Sequence, residues 1–275
     1  MLPKSDTEAD YRQYILSIQI SLDGFEFCIH KGKKEDYVVF EQIKFQKKAE
    51  NKEELLEKIK QIFVEIKCLD KEFKKVHLIH QNSKATLVPK EYFDENLLYS
   101  YLDKSIKIQE NDFIAYDKLT DINAYLVYIP YPNINSFILS KYGEFQYSHA
   151  YKYLLNITRL NDQKSKADKI YLHINSQHFE LIGYKRNKLQ IINSFEYNDV
   201  NDIAYYALFV AEQFNISAEK LNLVVLGKSE LKSRLDKLMG KYIERTITYS
   251  NVFINYSKAF RNLPRRSSFI IINSI

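Results

Sequence analysis

Residues 16–31 read LSIQISLDGFEFCIHK, and residues 170–185 read IYLHINSQHFELIGYK; the two align without a gap at a constant offset of 154. Ile20 meets Ile174, Phe25 and Glu26 meet Phe179 and Glu180, and Lys31 meets Lys185. Apolar positions coincide as well: Leu16 with Ile170, Ile18 with Leu172, Phe27 with Leu181 and Cys28 with Ile182. Each copy alternates apolar residues with others across a turn, the period of a half-buried strand pair. A chain that writes one strand-turn-strand twice is expected to form two lobes of like order. At 275 residues it is also long enough to bury two cores.

The segments downstream of the two copies correspond too. In the first half, strands are expected over residues 14–20 and 25–29, turning at Asp23-Gly24, where both residue types tolerate positive φ. A third strand spans residues 37–45. Asn51, with Glu54 three positions on, predicts a capped helix carrying Leu55, Leu56, Ile59, Ile62, Phe63, Ile66 and Leu69 at helical spacing. A strand over residues 75–80 comes next. Residues 82–117 are less regular, with a helix over 95–104; a strand over 124–129 and helices over 133–142 and 149–160 complete this half.

The polar run NDQKSKAD, residues 161–168, is the expected boundary. The lobes are then residues 11–165, carrying an insertion, and residues 166–275. Strands over 169–175, 178–185 and 188–197 open the second half, with Phe40-Glu41 echoed at Phe195-Glu196. A helix from Asp199 to Phe214 is apolar nearly all round, so it is expected to be buried on more than one side. A strand over 221–226, a helix capped by Ser229 and ended by Gly240, and a strand over 243–249 come after it. Twice over, the order reads β-β-β-α-β-α-β.

That order, opened by a strand-turn-strand, resembles the actin-like ATPase superfamily of sugar kinases, heat-shock chaperones and actins. The resemblance implies an α/β fold of tandem ribonuclease H-like lobes around a nucleotide cleft. LSIQISLDGFEFCI with Leu87-Val88-Pro89 downstream is more closely similar to a bacterial family of actin-like proteins with no assigned activity; the pilus-assembly and cell-shape actins are more distant. In active members the first turn reads hydrophobic-Asp-hydrophobic-Gly. The Asp holds water around Mg²⁺, and the Gly lets amides approach a phosphate. Here Gln19 and Ser21 take those places in the first copy, and His173 and Asn175 in the second. The adenosine-supporting Gly-Gly turn is half kept, in Leu226-Gly227-Lys228-Ser229.

Three altered elements imply a non-catalytic protein without a bound cofactor, since Mg-ATP hydrolysis needs a held metal and an oriented water. The residues expected to line a residual cleft are Ser21, Asp23, Gly24, Asn175, Ser176, Gln177, Gly227 and Lys228. An alternative keeps ATP through divergent ligands, Asp23 with Lys228. Gly227-Lys228-Ser229 also ends like a P-loop, but Asn222 stands where that motif needs glycine and residues 223–226 complete an apolar strand.

No metal site is expected. His77 and His80 point to opposite faces of one strand, and His173 and His178 straddle a turn without a cysteine or acidic cluster at ligand spacing. Two cysteines make no disulfide framework. Nor does the N-terminus carry the apolar stretch of a signal peptide, or any run of about 18 apolar residues a membrane span. A cytoplasmic protein is therefore expected, working through an unidentified protein partner.

Charge leaves one further alternative. Five of the 40 Lys and Arg residues lie beyond Glu244 and none of the 35 acidic residues does, so the net +5 resides wholly in the last stretch. Lys258, Arg261, Arg265 and Arg266 could there meet an anionic partner such as nucleic acid. The 22 tyrosines add little to that, because a base-composition bias would by itself produce abundant Lys, Asn, Ile and Tyr together.

Overall fold

The computed structural model describes residues 10–32, 37–110, 112–162, 167–176, 178–226, 231–244, 247–250 and 269–274. By their contacts these divide into two compact units: one holds the chain to Ala150 together with Ile270 onward, and the other runs from Tyr151.

The first unit opens with β1 (Ile15–Ser21), β2 (Gly24–His30) and β3 (Tyr37–Lys44). Helix α1 (Lys52–Glu65) starts where it does because Asn51 Oδ1 accepts from Glu54 N at 2.8 Å. The Glu54 carboxylate reaches back to Glu50 N at 2.9 Å, one residue before the cap. The helix stops at Glu65, so Leu69, expected on its last turn, is buried instead from a 3₁₀ turn over Lys67–Asp70. Strand β4 (Lys75–His80) lies parallel to β1.

Residues beyond β4 form a separate antiparallel sheet. Its strands β5 (Ala85–Pro89), β6 (Ala115–Leu119) and β7 (Ala124–Tyr128) pair in the order β5-β7-β6, with the short helix α2 (Leu98–Leu102) beside them. The strand expected at 124–129 therefore belongs to the insertion and not to the main sheet. That sheet is completed by α3 (Pro132–Tyr142) and β8 (Gln146–His149), the latter too short and polar to show a period. Its order is β3-β2-β1-β4-β8.

Helix α4 (Ala150–Asp162) leads to β9 (Lys169–Ile174), β10 (His178–Lys185) and β11 (Lys188–Glu196). Helix α5 (Val200–Gln213) starts on a full capping box made by Asp199 and Asp202. Strand β12 (Asn222–Leu226), helix α6 (Lys232–Met239) and strand β13 (Thr248–Ser250) complete an order of β11-β10-β9-β12-β13. Pairings run antiparallel, antiparallel, parallel and parallel from β3 to β8, and the same from β11 to β13. A terminal helix α7 (Phe269–Ile272) ends the described chain, and Ile272 O accepts from Tyr37 Oη at 2.6 Å.

Each main sheet packs one face into an apolar core. Leu16, Ile18, Ile20, Phe25, Phe27 and Ile29 meet Leu55, Ile59 and Ile62 of α1 in the first unit. In the second, Ile170, Leu172, Phe179 and Leu181 meet Ile203, Ala207 and Val210 of α5. Burying such an aliphatic side chain contributes about 2 kcal/mol. Alternation predicts that the opposite face is exposed, but it is buried as well, and it carries Ser17, Gln19, Glu26 and His30, or His173 and Glu180. In the second unit α4 lies on this face, with Thr158 Oγ1 3.0 Å from Tyr184 Oη.

Several local expectations change. Helix α5 buries Val200, Ile203, Ala204, Ala207, Val210 and Ala211, but Tyr205 is 61% and Phe209 44% exposed. Gly240 ends α6 with φ −60°, so the left-handed freedom of glycine is not used there. Neither Asp23 nor Gly24 has positive φ. Gly24 instead sits close to its neighbour strand, where a Cβ would lie 3.1 Å from Ile43 O on β3, a tight contact with backbone. Strand β13 is shorter than the one expected at 243–249. Leu231, not Ser229, precedes α6, and Ser229 lies outside the described residues.

Candidate functional site

The two hairpins β1–β2 and β9–β10 place corresponding residues opposite one another. Gln19 pairs across the strands with Glu26, and His173 pairs with Glu180. Both glutamates belong to the repeat, as Phe25-Glu26 and Phe179-Glu180, yet their importance needs the register. The coincidence of a glutamate after phenylalanine within two mostly apolar strands is the signal the sequence offers.

In the first hairpin the polar side chains are amide-rich. Gln19 Nε2 donates to Gln81 Oε1 at 2.8 Å, and Gln81 N donates to Ile20 O at 2.8 Å, prolonging the β1–β4 ladder. Gln42, across from Glu26 on β3, donates its amide to the Glu26 carboxylate. Gln19 is 7% and Glu26 8% exposed, so these bonds form in a low-dielectric setting, where unmade ones are costly. At the turn, Ser21 Oγ donates to Asp23 Oδ1 at 2.6 Å. Asp23 thus closes the turn on Ser21.

The second hairpin is ionic. Glu180 is fully buried, and its Oε2 lies 2.7 Å from His173 Nδ1 and 2.9 Å from Asn175 Nδ2. Its Oε1 lies 3.2 Å from His178 Nε2. Burial alone would raise the Glu180 pKa, but the charge of His178 and hydrogen bonds from both histidines outweigh it and hold the carboxyl well below the usual carboxylate range. Tyr197 Oη donates to Asn175 O at 2.6 Å and fixes the turn from β11's end. His173 and His178, expected merely to straddle a turn, therefore converge on one carboxylate. Asn175 Nδ2 sits among them, 3.5 Å from His173 Nδ1 and 3.2 Å from His178 Nε2. Among the described residues no group of three or more His, Cys, Asp or Glu is arranged to hold a metal.

The remaining predicted residues scatter or fall outside. Ser21, Asp23 and Gly24 share the first turn; Asn175 and Ser176 share the second, where both carbonyls accept from Tyr197. Gln177, Gly227, Lys228, Lys258, Arg261, Arg265 and Arg266 lie outside the described residues. Residues 222–226 are a strand, as expected, and not a phosphate loop. His77 and His80 do part: His77 Nε2 lies 3.1 Å from Ser148 Oγ, and His80 Nε2 2.9 Å from Asn135 Oδ1. Tyr131 N donates to His80 Nδ1 at 3.4 Å, so the proton is on Nε2, and burial pushes the His80 pKa down to about 3. His30 likewise accepts from Gly32 N and is pushed down to about 4 by burial. Cys28 and Cys68 are buried thiols raised by desolvation, Cys68 to about 11.

Two five-stranded mixed sheets of one order, each with its helices, are the actin-like ATPase fold. A Bacteroides thetaiotaomicron protein with actin-like ATPase fold and unknown function matches at a TM-score of 0.79 and 22% identity, over 87% of this chain and 91% of that one. A chain of the PilM–PilN type IV pilus biogenesis complex matches at 0.62 and 11% identity, over 94% and 95%. The chain itself belongs to a family of proteins of unknown function, DUF3822, which matches residues 4–246. No curated protein matches it. Among the described residues, no helix is long and apolar enough to cross a membrane.

Proposed function

We propose that the chain is a non-catalytic actin-like protein of the cytoplasm that works by binding a protein partner. The observation that carries this reading is the chemistry at the two places where the superfamily holds its Mg²⁺ water and phosphate. Mg²⁺ takes an octahedron of oxygen ligands, several of them waters, usually through one or two carboxylates. At the first place stands an amide, Gln19, committed to Gln81; at the second stands an imidazole, His173, committed to Glu180. The nearest strand carboxylate of the second hairpin, Glu180, is turned inward onto two histidines and an asparagine. This donor set does not suit a magnesium nucleotide.

Partner binding draws support from the PilM–PilN complex, in which a chain of similar fold assembles with another protein. The turn residues Ser21, Asp23, Gly24, Asn175 and Ser176, with Gln177, Gly227 and Lys228, remain our candidates for any residual ligand contact. Titration calorimetry of the full chain with Mg-ATP tests the reading. We expect no measurable heat of binding and no phosphate release above buffer. Micromolar affinity, or hydrolysis abolished by Asp23→Asn, would overturn it in favour of an ATP-binding protein with divergent ligands.

A further inference from the structure

Strand β11 stands at the edge of the second main sheet: β10 lies on one side of it, and among the described residues no strand lies on the other. Which of its backbone groups turn outward follows from the register. Asn175 N donates to His178 O at 2.9 Å, so this pair closes the β9–β10 hairpin. Hydrogen-bonded pairs alternate with non-bonded ones along antiparallel strands, so His173 and Glu180 are the next bonded pair. Glu180 thus commits its N–H and C=O to β9, and Ser194, which faces it on β11, turns its own away from β10. Ile192 and Glu196, two residues to either side, do the same. Ser194 N donates to the neighbouring side chain, Asn193 Oδ1, at 2.8 Å.

Such an edge is a template for another strand, and chains ordinarily guard it with charge, proline or a bulge. The matching edge of the first unit, β3, carries Glu41 and Lys44. In β11 the charges stand only at the two ends, Lys188 and Glu196, with seven uncharged residues between them. A bulge at Gln190, which the β10 register skips between Leu189 and Ile191, confines the regular run to residues 191–196. On the α5 side of this run Ile191 and Phe195 pack against the core yet stay half-buried, with the exposed Asn193 between them. Phe195 stacks there on Tyr206 of α5 at 4.4 Å.

These features are self-complementary. A two-fold axis through Asn193 sets Ile192 of one copy opposite Ser194 of the other, and both have outward N–H and C=O groups to exchange. The same register lays Ile191 against Phe195 of the other copy, twice, so that half-buried apolar side chains cover each other. It also brings the basic end of each strand, the exposed Arg186 and Lys188, alongside the acidic end of its mate, the exposed Glu196 with Asp199 beyond. A parallel pairing would set like ends together.

We propose that two copies of this chain pair antiparallel through β11, with Asn193 on the axis, to make one continuous sheet of ten strands. Each chain offers one such edge, so the assembly closes at two. The dimer stands apart from the nucleotide and partner readings above and is compatible with either outcome there. A contact one strand wide lies at the small end of stable interfaces, so we expect a Kd of about 1–100 µM.

Sedimentation velocity of the full chain from about 1 to 300 µM tests the proposal, in low salt so that the end charges are little screened. We expect a monomer–dimer equilibrium, with amide exchange at Ile192, Ser194 and Glu196 slowed in the dimer. Asn193→Lys puts like charges on the axis, and Ser194→Pro deletes an outward N–H at an edge, where proline is tolerated. Each is expected to weaken the dimer at least about tenfold, with circular dichroism checking the fold. Asn193→Lys changes an exposed side chain and decides the matter alone if the proline variant does not fold. Lys188→Glu and Glu196→Lys are each expected to weaken the dimer about threefold or more, whereas an equal mixture of the two regains the wild-type affinity.

A monomer throughout, assembly beyond two copies, or a dimer indifferent to Asn193→Lys overturns the proposal. So does a dimer that Phe209→Ser dissolves, because the contact is then on the exposed Tyr205–Phe209 stack of α5. Single charge variants that leave the affinity unchanged, or a mixture no tighter than either alone, overturn the antiparallel register.

Discussion

The β1–β2 and β9–β10 hairpins share strand order and cross-strand register, yet fill the same facing positions with different chemistry. Gln19 over Glu26 is held by neutral amides, from Gln81 and Gln42. His173 over Glu180 is held by rings and an amide around a buried anion. The ionic hairpin gives both oxygens of Glu180 partners, whereas the amide hairpin leaves Gln19 Oε1 and Glu26 Oε2 buried without a hydrogen bond among the described residues. The difference is in what removing one partner leaves behind. An amide deprived of its mate forfeits a hydrogen bond, while a buried ion deprived of its counterion loses the compensation for its desolvation.

The largest test of this contrast is Glu180→Leu against Glu26→Leu. We expect Glu180→Leu to cost about 3–5 kcal/mol and Glu26→Leu about 1–3, measured by urea denaturation of each variant. Equal losses would erase the distinction between an ionic and an amide hairpin.

Acid sharpens the comparison next. His80 titrates near 6.5 when unfolded and near 3 when folded, so its contribution is complete above about pH 6.5 and is lost as pH falls toward 3. His30 acts in the same direction down to about pH 4. Glu180, also depressed, contributes above about pH 4.5 and loses that contribution only below it. The first unit is therefore expected to weaken between pH 6.5 and 4.5, where the second holds. His80→Gln should flatten the unfolding free energy in that window by about 1.4 kcal/mol per pH unit. An unchanged slope would show that His80 is not neutral in the fold.

Smallest is the Gln19–Gln81 pair. Gln19→Leu alone should cost about 1–2 kcal/mol by stranding Gln81, and adding Gln81→Leu should return most of it. A double variant no better than the single one would mean that Gln81 is held by contacts other than Gln19.

Much of this architecture was legible in residue order. Asn51 with Glu54 marks the start of α1 through its own side chains, and the helix read from Asp199 is α5, so both lie where the pattern puts them. The repeat at Phe25-Glu26 and Phe179-Glu180 likewise foretells two hairpins in one register. Strands β5, β6 and β8 escape such a reading because four or five residues at the edge of a sheet, such as Gln146–His149, carry no readable period. Alternation along β1 and β9 also misleads, since it distinguishes apolar from polar and not inside from outside.

Taken alone, then, the residue order determined the three opening strands, the helix after them and the next strand of each half, with the side chains those elements bring to the two main apolar cores, because periodicity and caps act over a few neighbouring positions. Only the tertiary structure decided that Gln19 reaches Gln81, 62 residues away, that His173 and His178 close on Glu180, and that Tyr205 and Phe209 are left outside. Those outcomes depend on cross-strand register and on burial of the second sheet face, and both are settled by contacts between segments distant in the chain.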